Sequence, residues 1–497
     1  MTRRSKDAAL ENQCARGVNA PARASIAFTA TNILSKLAAL VFTPIFTRLL
    51  STEEYGEYSL FTTALSLLIV IGSFELPGSV LHRVLQSNRG QSQTALLYAN
   101  LITLFLSGLS FGVFLLFNRA FRLLSFPHSC IALIVTLISS SLINLYNSAE
   151  KYRYRCGSTL ISAAIQSLLA PLTAILLIKS PWLTSTPRVS VRLTVAAALS
   201  GVAAVAFFII TVTKARAERR EARAARRSFN GGGRNICKKY FSLAVPMLPY
   251  YVSVSVIAGA DRFFISHYFG SGSLAKYSVA HSLGTAISAV GTGILAALLP
   301  WLMRKIRTNN FFAIRQTLDE LAVAYTLFII CFLCIADILL SFIAPKVYQG
   351  SLPVVFAAAL SVLPLSFLQI ASNASVAKER LLGPVIFGAA CAALSVLANA
   401  FILPRASAAA AAIISAASFW LLSVLMLLYA RKACGEWIIS PVKLFALETL
   451  SVASAAIIYA IQGAPILRLL ILVLLLAVLC VLLWRARGLV LEKRADV

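Results

Sequence analysis

Apolar blocks, many of 18 or more residues and nearly free of charge, alternate with short polar connections along almost the whole chain. A helix needs about 20 such residues to cross the hydrocarbon core of a bilayer. The blocks lack the short two-residue alternation of a membrane β-barrel. The pattern predicts an all-α polytopic membrane protein of about fourteen spans: 25–48, 58–81, 94–117, 128–149, 157–178, 193–213, 241–268, 277–303, 317–343, 352–374, 383–403, 407–430, 443–461 and 467–485. An even number places both termini on one side. The block after the polar residues 1–24 is too long for the apolar core of a signal peptide and has no clear cleavage site, so it is expected to stay as the first span.

Two connections echo each other at an offset of 219 residues. Arg48-Leu-Leu-Ser-Thr-Glu-Glu-Tyr-Gly-Glu-Tyr58-Ser-Leu lies over His267-Tyr-Phe-Gly-Ser-Gly-Ser-Leu-Ala-Lys-Tyr277-Ser-Val without a gap. A repeat on this scale in a membrane protein points to two similar lobes and to transport. The first span carries one polar stripe at helical spacing: Thr29, Asn32, Lys36, Thr43 and Thr47. Under the same offset Asn32, Lys36, Thr43 and Thr47 fall on Tyr251, Ser255, Arg262 and Ser266, so the seventh span carries an equivalent stripe. Lipid cannot satisfy such faces, so both are expected to line a shared central cavity.

Composition sharpens this picture. The chain is 59% hydrophobic and 13% charged, with a net charge of +27. The cations lie mostly in alternate connections. With the N-terminus inside, cytoplasmic segments hold about 33 of the 45 Lys and Arg, and outside segments about 10. The charge therefore reads as topology and not as a nucleic-acid surface. The domain plan is a cytoplasmic tail (1–24), a six-span lobe (25–213), a basic linker (214–240) expected to attract anionic lipid, a second six-span lobe (241–430), and two further spans with a tail (431–497). Nine cysteines are scattered, and Cys331-Phe-Leu-Cys334 reads as small packing residues. The sequence carries no nucleotide-binding loop, metalloprotease motif or nucleophile elbow.

Charges within a bilayer are costly and so are candidates for function. Lys36 and Arg262 sit at staggered depths, as an anion moving across would require. An Arg fork grips phosphate oxygens and a Lys acts as a mobile point charge. The competing reading is internal ion pairing, for which Glu75 is within reach of Lys36 if the first two spans pack side by side. Glu75, Asp261 and Asp337 are the carboxylates expected to carry a coupling H+ or Na+, and Glu448 is a further deep one.

Thr47-Arg-Leu-Leu-Ser-Thr-Glu-Glu-Tyr-Gly-Glu-Tyr-Ser-Leu60, Phe74-Glu-Leu-Pro-Gly78 with Arg83, Leu243-Ala-Val-Pro-Met-Leu-Pro249, Ala260-Asp-Arg-Phe-Phe-Ile265 and Tyr277-Ser-Val-Ala280 resemble the oligosaccharide (O-antigen) flippase family of the multidrug/oligosaccharidyl-lipid/polysaccharide exporter superfamily. Glu75 stands where that family suggests Asp. The resemblance implies two six-helix lobes around a central cavity plus two C-terminal helices. It also implies ion-coupled export of a polyprenyl-pyrophosphate-linked glycan across a bacterial plasma membrane, for O-antigen or other lipopolysaccharide assembly. Glycan polymerase machinery is an expected partner, and neither a cofactor nor enzymatic activity is expected. On this reading Lys36 and Arg262, with Asn32, Thr43, Tyr251 and Ser255, contact the substrate, while Arg48 and Arg83 guide it at the outer and inner ends. Lipid II flippases, drug antiporters of the same superfamily, and a membrane glycan polymerase or ligase are the alternatives.

Overall fold

Helices make up most of the described residues, and no strand occurs among them. The computed structural model describes residues 20–87, 91–121, 127–153, 155–180, 186–224, 233–378, 380, 382–464 and 466–478. Among these, ten helices are long and apolar enough to cross a membrane, or eleven when the bent pair Arg234–Ala244 and Leu248–Thr285 counts as one. The protein is a multi-pass membrane protein. Three of the fourteen sequence spans account for the difference. The first is a continuous helix whose side chains are described only in part, the last runs into residues outside the described set, and a turn at 286–287 breaks the eighth.

Contacts divide the chain into two compact units, one holding residues up to 42 and 57–255, the other 43–56 and the residues from 256 onward. The first unit contains the inner part of α1 (Ala20–Leu49), then α2 (Thr52–Ser73), α3 (Leu81–Ser87), α4 (Ser92–Phe121), α5 (Pro127–Tyr152), α6 (Gly157–Ala164), α7 (Ala170–Ile178), α8 (Arg188–Ala224) and α9 (Gly233–Ala244). Two π-helical turns interrupt this series, Leu76–Val80 and Ile165–Leu169. Pro77 lies inside the first and Pro171 just after the second. A proline supplies no N–H and its ring displaces the preceding turn, so the ladder widens there. Tyr146 stacks on Phe207 with ring centroids 4.7 Å apart, and Tyr240 donates to the Ala95 carbonyl at 3.0 Å, tying α9 to α4.

The basic stretch expected as a linker is helical at both ends, since α8 continues to Ala224 and α9 begins at Gly233; residues 225–232 lie outside the described set. Glu218 accepts the backbone N–H groups of Gln93 (3.3 Å) and Thr94 (2.7 Å). A carboxylate there satisfies two orphan donors and meets the positive end of the α4 dipole.

The second unit begins with the C-terminal end of α1. It continues through α10 (Leu248–Thr285), whose residues up to Ser255 belong to the first unit, then α11 (Ser288–Arg307), α12 (Phe311–Ile343), α13 (Leu352–Leu360), α14 (Val362–Ala377), α15 (Leu382–Ile402), α16 (Ala408–Cys434), α17 (Pro441–Ala460) and the short apolar α18 (Ile466–Val478). The bend between α9 and α10 is 51°, with Pro246 and Pro249 on either side of it. Ser361 separates α13 from α14 three residues before Pro364. Pro44, by contrast, lies inside continuous α1. Cys331 and Cys334 are buried, unbonded residues of α12. Gly291 packs so closely on the Tyr325 ring that a Cβ would strike it. Small residues of this kind let helices approach in lipid, where apolar burial supplies no drive for association.

Both echoing connections break their helices at equivalent positions. Ser51 is non-helical between α1 and α2, and Gly270, at the 219 offset, interrupts α10 with φ 79°. The left-handed conformation suits glycine, which has no Cβ to clash. At the first break Ser51 and Glu54 form a reciprocal capping box, with Ser51 N–H donating to Glu54 Oε2 at 3.0 Å and Glu54 N–H to Ser51 Oγ at 3.1 Å. The two connections touch: a Cβ on Gly56 would collide with the Ser271 carbonyl, and Thr52 lies over Gly272.

Candidate functional site

The polar stripe of α1 divides along its length. The backbone positions of Asn32 and Lys36 lie within α1, but their side chains lie outside the described residues. Thr43 is half-buried. Thr47 is buried and its hydroxyl hydrogen-bonds the Pro44 (3.1 Å) and Ile343 (3.0 Å) carbonyls. Arg48 donates to the Pro44 (2.8 Å) and Phe342 (3.1 Å) carbonyls. These two residues bind the C-terminal end of α1 to the C-terminal end of α12.

In the second unit, Asp261 and Arg262 sit in one buried network. Asp261 is 1% exposed, and its Oδ2 accepts from the Tyr277 hydroxyl and, at 3.4 Å, from Ser415. Its Oδ1 accepts the Arg262 backbone N–H at 2.8 Å and lies 3.8 Å from the Arg262 guanidinium. The adjacent pair is therefore closer than a simple helical projection predicts. The guanidinium also donates to the Ala258 carbonyl (2.8 Å) and to His281 Nδ1 (3.1 Å). Arginine can only donate, so that ring nitrogen is the acceptor and the proton sits on Nε2. Arg262 thus has internal partners here, and its side chain is 16% exposed.

Asp337 of α12 forms an ion pair with Arg468 of α18 at 2.7 Å, and Arg468 donates further to the Gln462 carbonyl at 3.1 Å. Glu448 of α17 is buried beside a cavity of about 890 Å³ with largely apolar walls, among them Phe356, Trp420 and Tyr459.

The first unit holds a different kind of space. A cavity of about 380 Å³ is lined by hydroxyls, amides and two charged side chains, including Thr31, Ser35, Glu75, Asn144, Asn147, Lys151, Thr159, Ser162 and Gln166. Glu75 reaches it from a distorted turn in which Phe74 (φ 54°) and Glu75 (φ 48°) are both left-handed. Such residues cost about 1–3 kcal/mol each and persist only where surrounding structure holds them. Ser148 donates to the Pro77 carbonyl and locks that turn to α5. Asn147 Nδ2 donates to Ser162 Oγ at 2.7 Å, while Asn147 Oδ1 and Thr159 Oγ1 have no hydrogen-bond partner among the described residues. Tyr251, half-buried at the start of α10, lies within electrostatic reach of Glu75, and Ser255 is half-buried one turn on. Arg83 is exposed. Beside it, burial and then the Lys151 charge hold His82 below the usual imidazole range. Tyr58, of the Tyr-Gly-x-Tyr segment, lies under the Arg192 guanidinium at 3.4 Å from its ring centroid.

The structure therefore groups Glu75 with Tyr251, and Asp261 with Arg262. It ties Arg48 to backbone carbonyls and pairs Asp337 with a cation. The polar residues of α5 and α6 were not among the sequence candidates. They carried the same signal as the α1 stripe: Asn144, Asn147 and Lys151 recur at steps of three and four, as do Thr159, Ser162 and Gln166 across the π-turn.

No curated protein matches the chain. Solved structures share its fold. A lipid II flippase MurJ in an inward closed conformation superposes with a TM-score of 0.63 at 13% identity, covering 93% of this chain and 99% of that one. Two multidrug resistance MATE family transporters of the MOP superfamily also superpose. The outward-facing one scores 0.56 at 12% identity, covering 84% of this chain and 98% of that one. The inward-facing one scores 0.51 at 14% identity, covering 83% and 98%. At these identities the likeness concerns the fold. The profile of the family described as polysaccharide biosynthesis protein matches residues 22–306, more than half of the sequence, and the chain belongs to that family.

Proposed function

We propose that the protein is a flippase that moves a polyprenyl-pyrophosphate-linked oligosaccharide from the inner to the outer leaflet of a bacterial plasma membrane, for cell-surface polysaccharide such as O-antigen. The observation that carries this reading is family membership across residues 22–306, in a chain 93% of which superposes on a lipid II flippase. Both termini face the cytoplasm, as the cation distribution demands. Movement proceeds by alternating access driven by H+ or Na+, with Asp261 and Glu75 as the carboxylates that sense the ion. Lys36 and Arg262 meet the anionic part of the substrate in turn. Arg262 exchanges its His281 and Ala258 contacts for phosphate oxygens, a bidentate acceptor that its fork matches. Glycan polymerase machinery consumes the product on the outer face.

Cells lacking the chain test this. Lipid-linked repeat units should accumulate in the inner leaflet, and Lys36→Ala or Arg262→Ala should fail to relieve that accumulation at normal protein level. Single repeat units reaching the outer face in the deletion strain would instead mark a polymerase. Resistance to small cations without a glycan phenotype would mark a drug antiporter.

A further inference from the structure

We propose that the polar cavity of the first unit is a binding site for a neutral sugar residue of the transported glycan, an assignment that rests on the flippase reading. The walls argue for this class of ligand. Glu75 and Lys151 both line the cavity, so its two formal charges cancel. The remaining chemistry is that of amides and hydroxyls, which donate and accept together. A polyol needs that mixture, because each of its hydroxyls does the same.

The site is also built with open positions. Asn147 is 8% exposed and Thr159 is 7% exposed, yet Asn147 Oδ1 and Thr159 Oγ1 have no hydrogen-bond partner among the described residues. Buried polar atoms are rarely left this way, and here both line the same space. Asn147 cannot turn freely to satisfy itself, because its Nδ2 is held on Ser162 Oγ at 2.7 Å, and Ser162 in turn donates to the Thr159 carbonyl at 3.1 Å. The amide oxygen is therefore a fixed acceptor. At about 380 Å³ the cavity has room for on the order of a dozen waters. That suits one sugar ring with some retained water and is too small for a long oligosaccharide. The distorted turn at Phe74 and Glu75 brings a carboxylate, the strongest available acceptor for a sugar hydroxyl, onto the wall.

Purified full-length protein, in a detergent without a sugar headgroup, provides the test. Its thermal midpoint is followed against glucose, galactose, N-acetylglucosamine and rhamnose, and separately against sodium chloride with choline chloride as control. At least one sugar should raise the midpoint saturably. Its apparent affinity should fall about tenfold or more in Asn147→Leu and in Gln166→Leu. Gln166 is exposed in the cavity wall, so Gln166→Leu should leave the unliganded midpoint unchanged and separates lost binding from lost folding. No response to any sugar, an equal response in both variants, or a response to sodium alone would overturn the assignment. In cells, an untrapped glycan when the chain is absent overturns the flippase reading itself. Trapping in that strain together with wild-type glycan output from Gln166→Trp overturns the sugar site alone.

Discussion

At the scale of single residues, the charges inside the spans are more committed than their sequence positions suggest. Asp261 is held by Tyr277, Ser415 and a backbone N–H, and the geometry predicts a graded response. Asp261→Asn, which keeps hydrogen-bonding capacity, should be milder than Asp261→Ala, which strands the Tyr277 hydroxyl and the Arg262 cation; the latter should cost about 3–5 kcal/mol, read as a lower midpoint of thermal unfolding. His82 offers a pH test. Its folded pKa lies below the ordinary value near 6.5, so the unfolded chain takes up the proton first. Stability should therefore fall as pH drops below about 6.5, and His82→Gln should flatten that slope in a pH series of unfolding midpoints. The candidates at Asp261, Arg262 and Glu75 were legible because a charge in an apolar run is conspicuous. Asn144, Asn147, Thr159 and Gln166 were not, because neutral polar residues in a span usually bond their own backbone, and only packing of α5 against α6 shows which do not.

At the scale of elements, the ten or eleven spans among the described residues were readable because span length is a one-dimensional property. What the pattern could not give was where a helix yields. The left-handed turn at Phe74 and Glu75, the π-turns beside Pro77 and Pro171, and the break at Gly270 all follow from local backbone chemistry, yet Pro44 leaves α1 unbroken. The contact between the two echoing connections gives a sharp prediction. Gly56→Val places side-chain carbon against the Ser271 carbonyl, a backbone atom that cannot rotate away. It should cost at least about 1–3 kcal/mol. Gly108→Ala, in the interior of α4 and facing open space, should not lower the midpoint and should raise it slightly. The link between α12 and α18 is equally testable. Asp337→Ala strands the buried Arg468 and should destabilise by about 3–5 kcal/mol, while adding Arg468→Leu should restore most of the loss, measured as protein level and unfolding midpoint.

At the scale of the whole molecule, the account joins a family, a fold and two polar networks, one in each compact unit. The Asp261 network carries an internally paired cation, whereas the Glu75 cavity presents amides and hydroxyls with open hydrogen-bonding positions. That asymmetry fits a substrate with an anionic end and a neutral, hydroxyl-rich end, and fits drug cations poorly. The most direct test places the purified full-length chain in vesicles holding a fluorescent polyprenyl-pyrophosphate-linked glycan in the inner leaflet only. Exposure of the sugar to an external lectin is followed with and without a proton or sodium gradient. The account predicts exposure that depends on the protein, accelerates with one of the gradients and is lost in Arg262→Ala. Exposure no faster than in protein-free vesicles would contradict it.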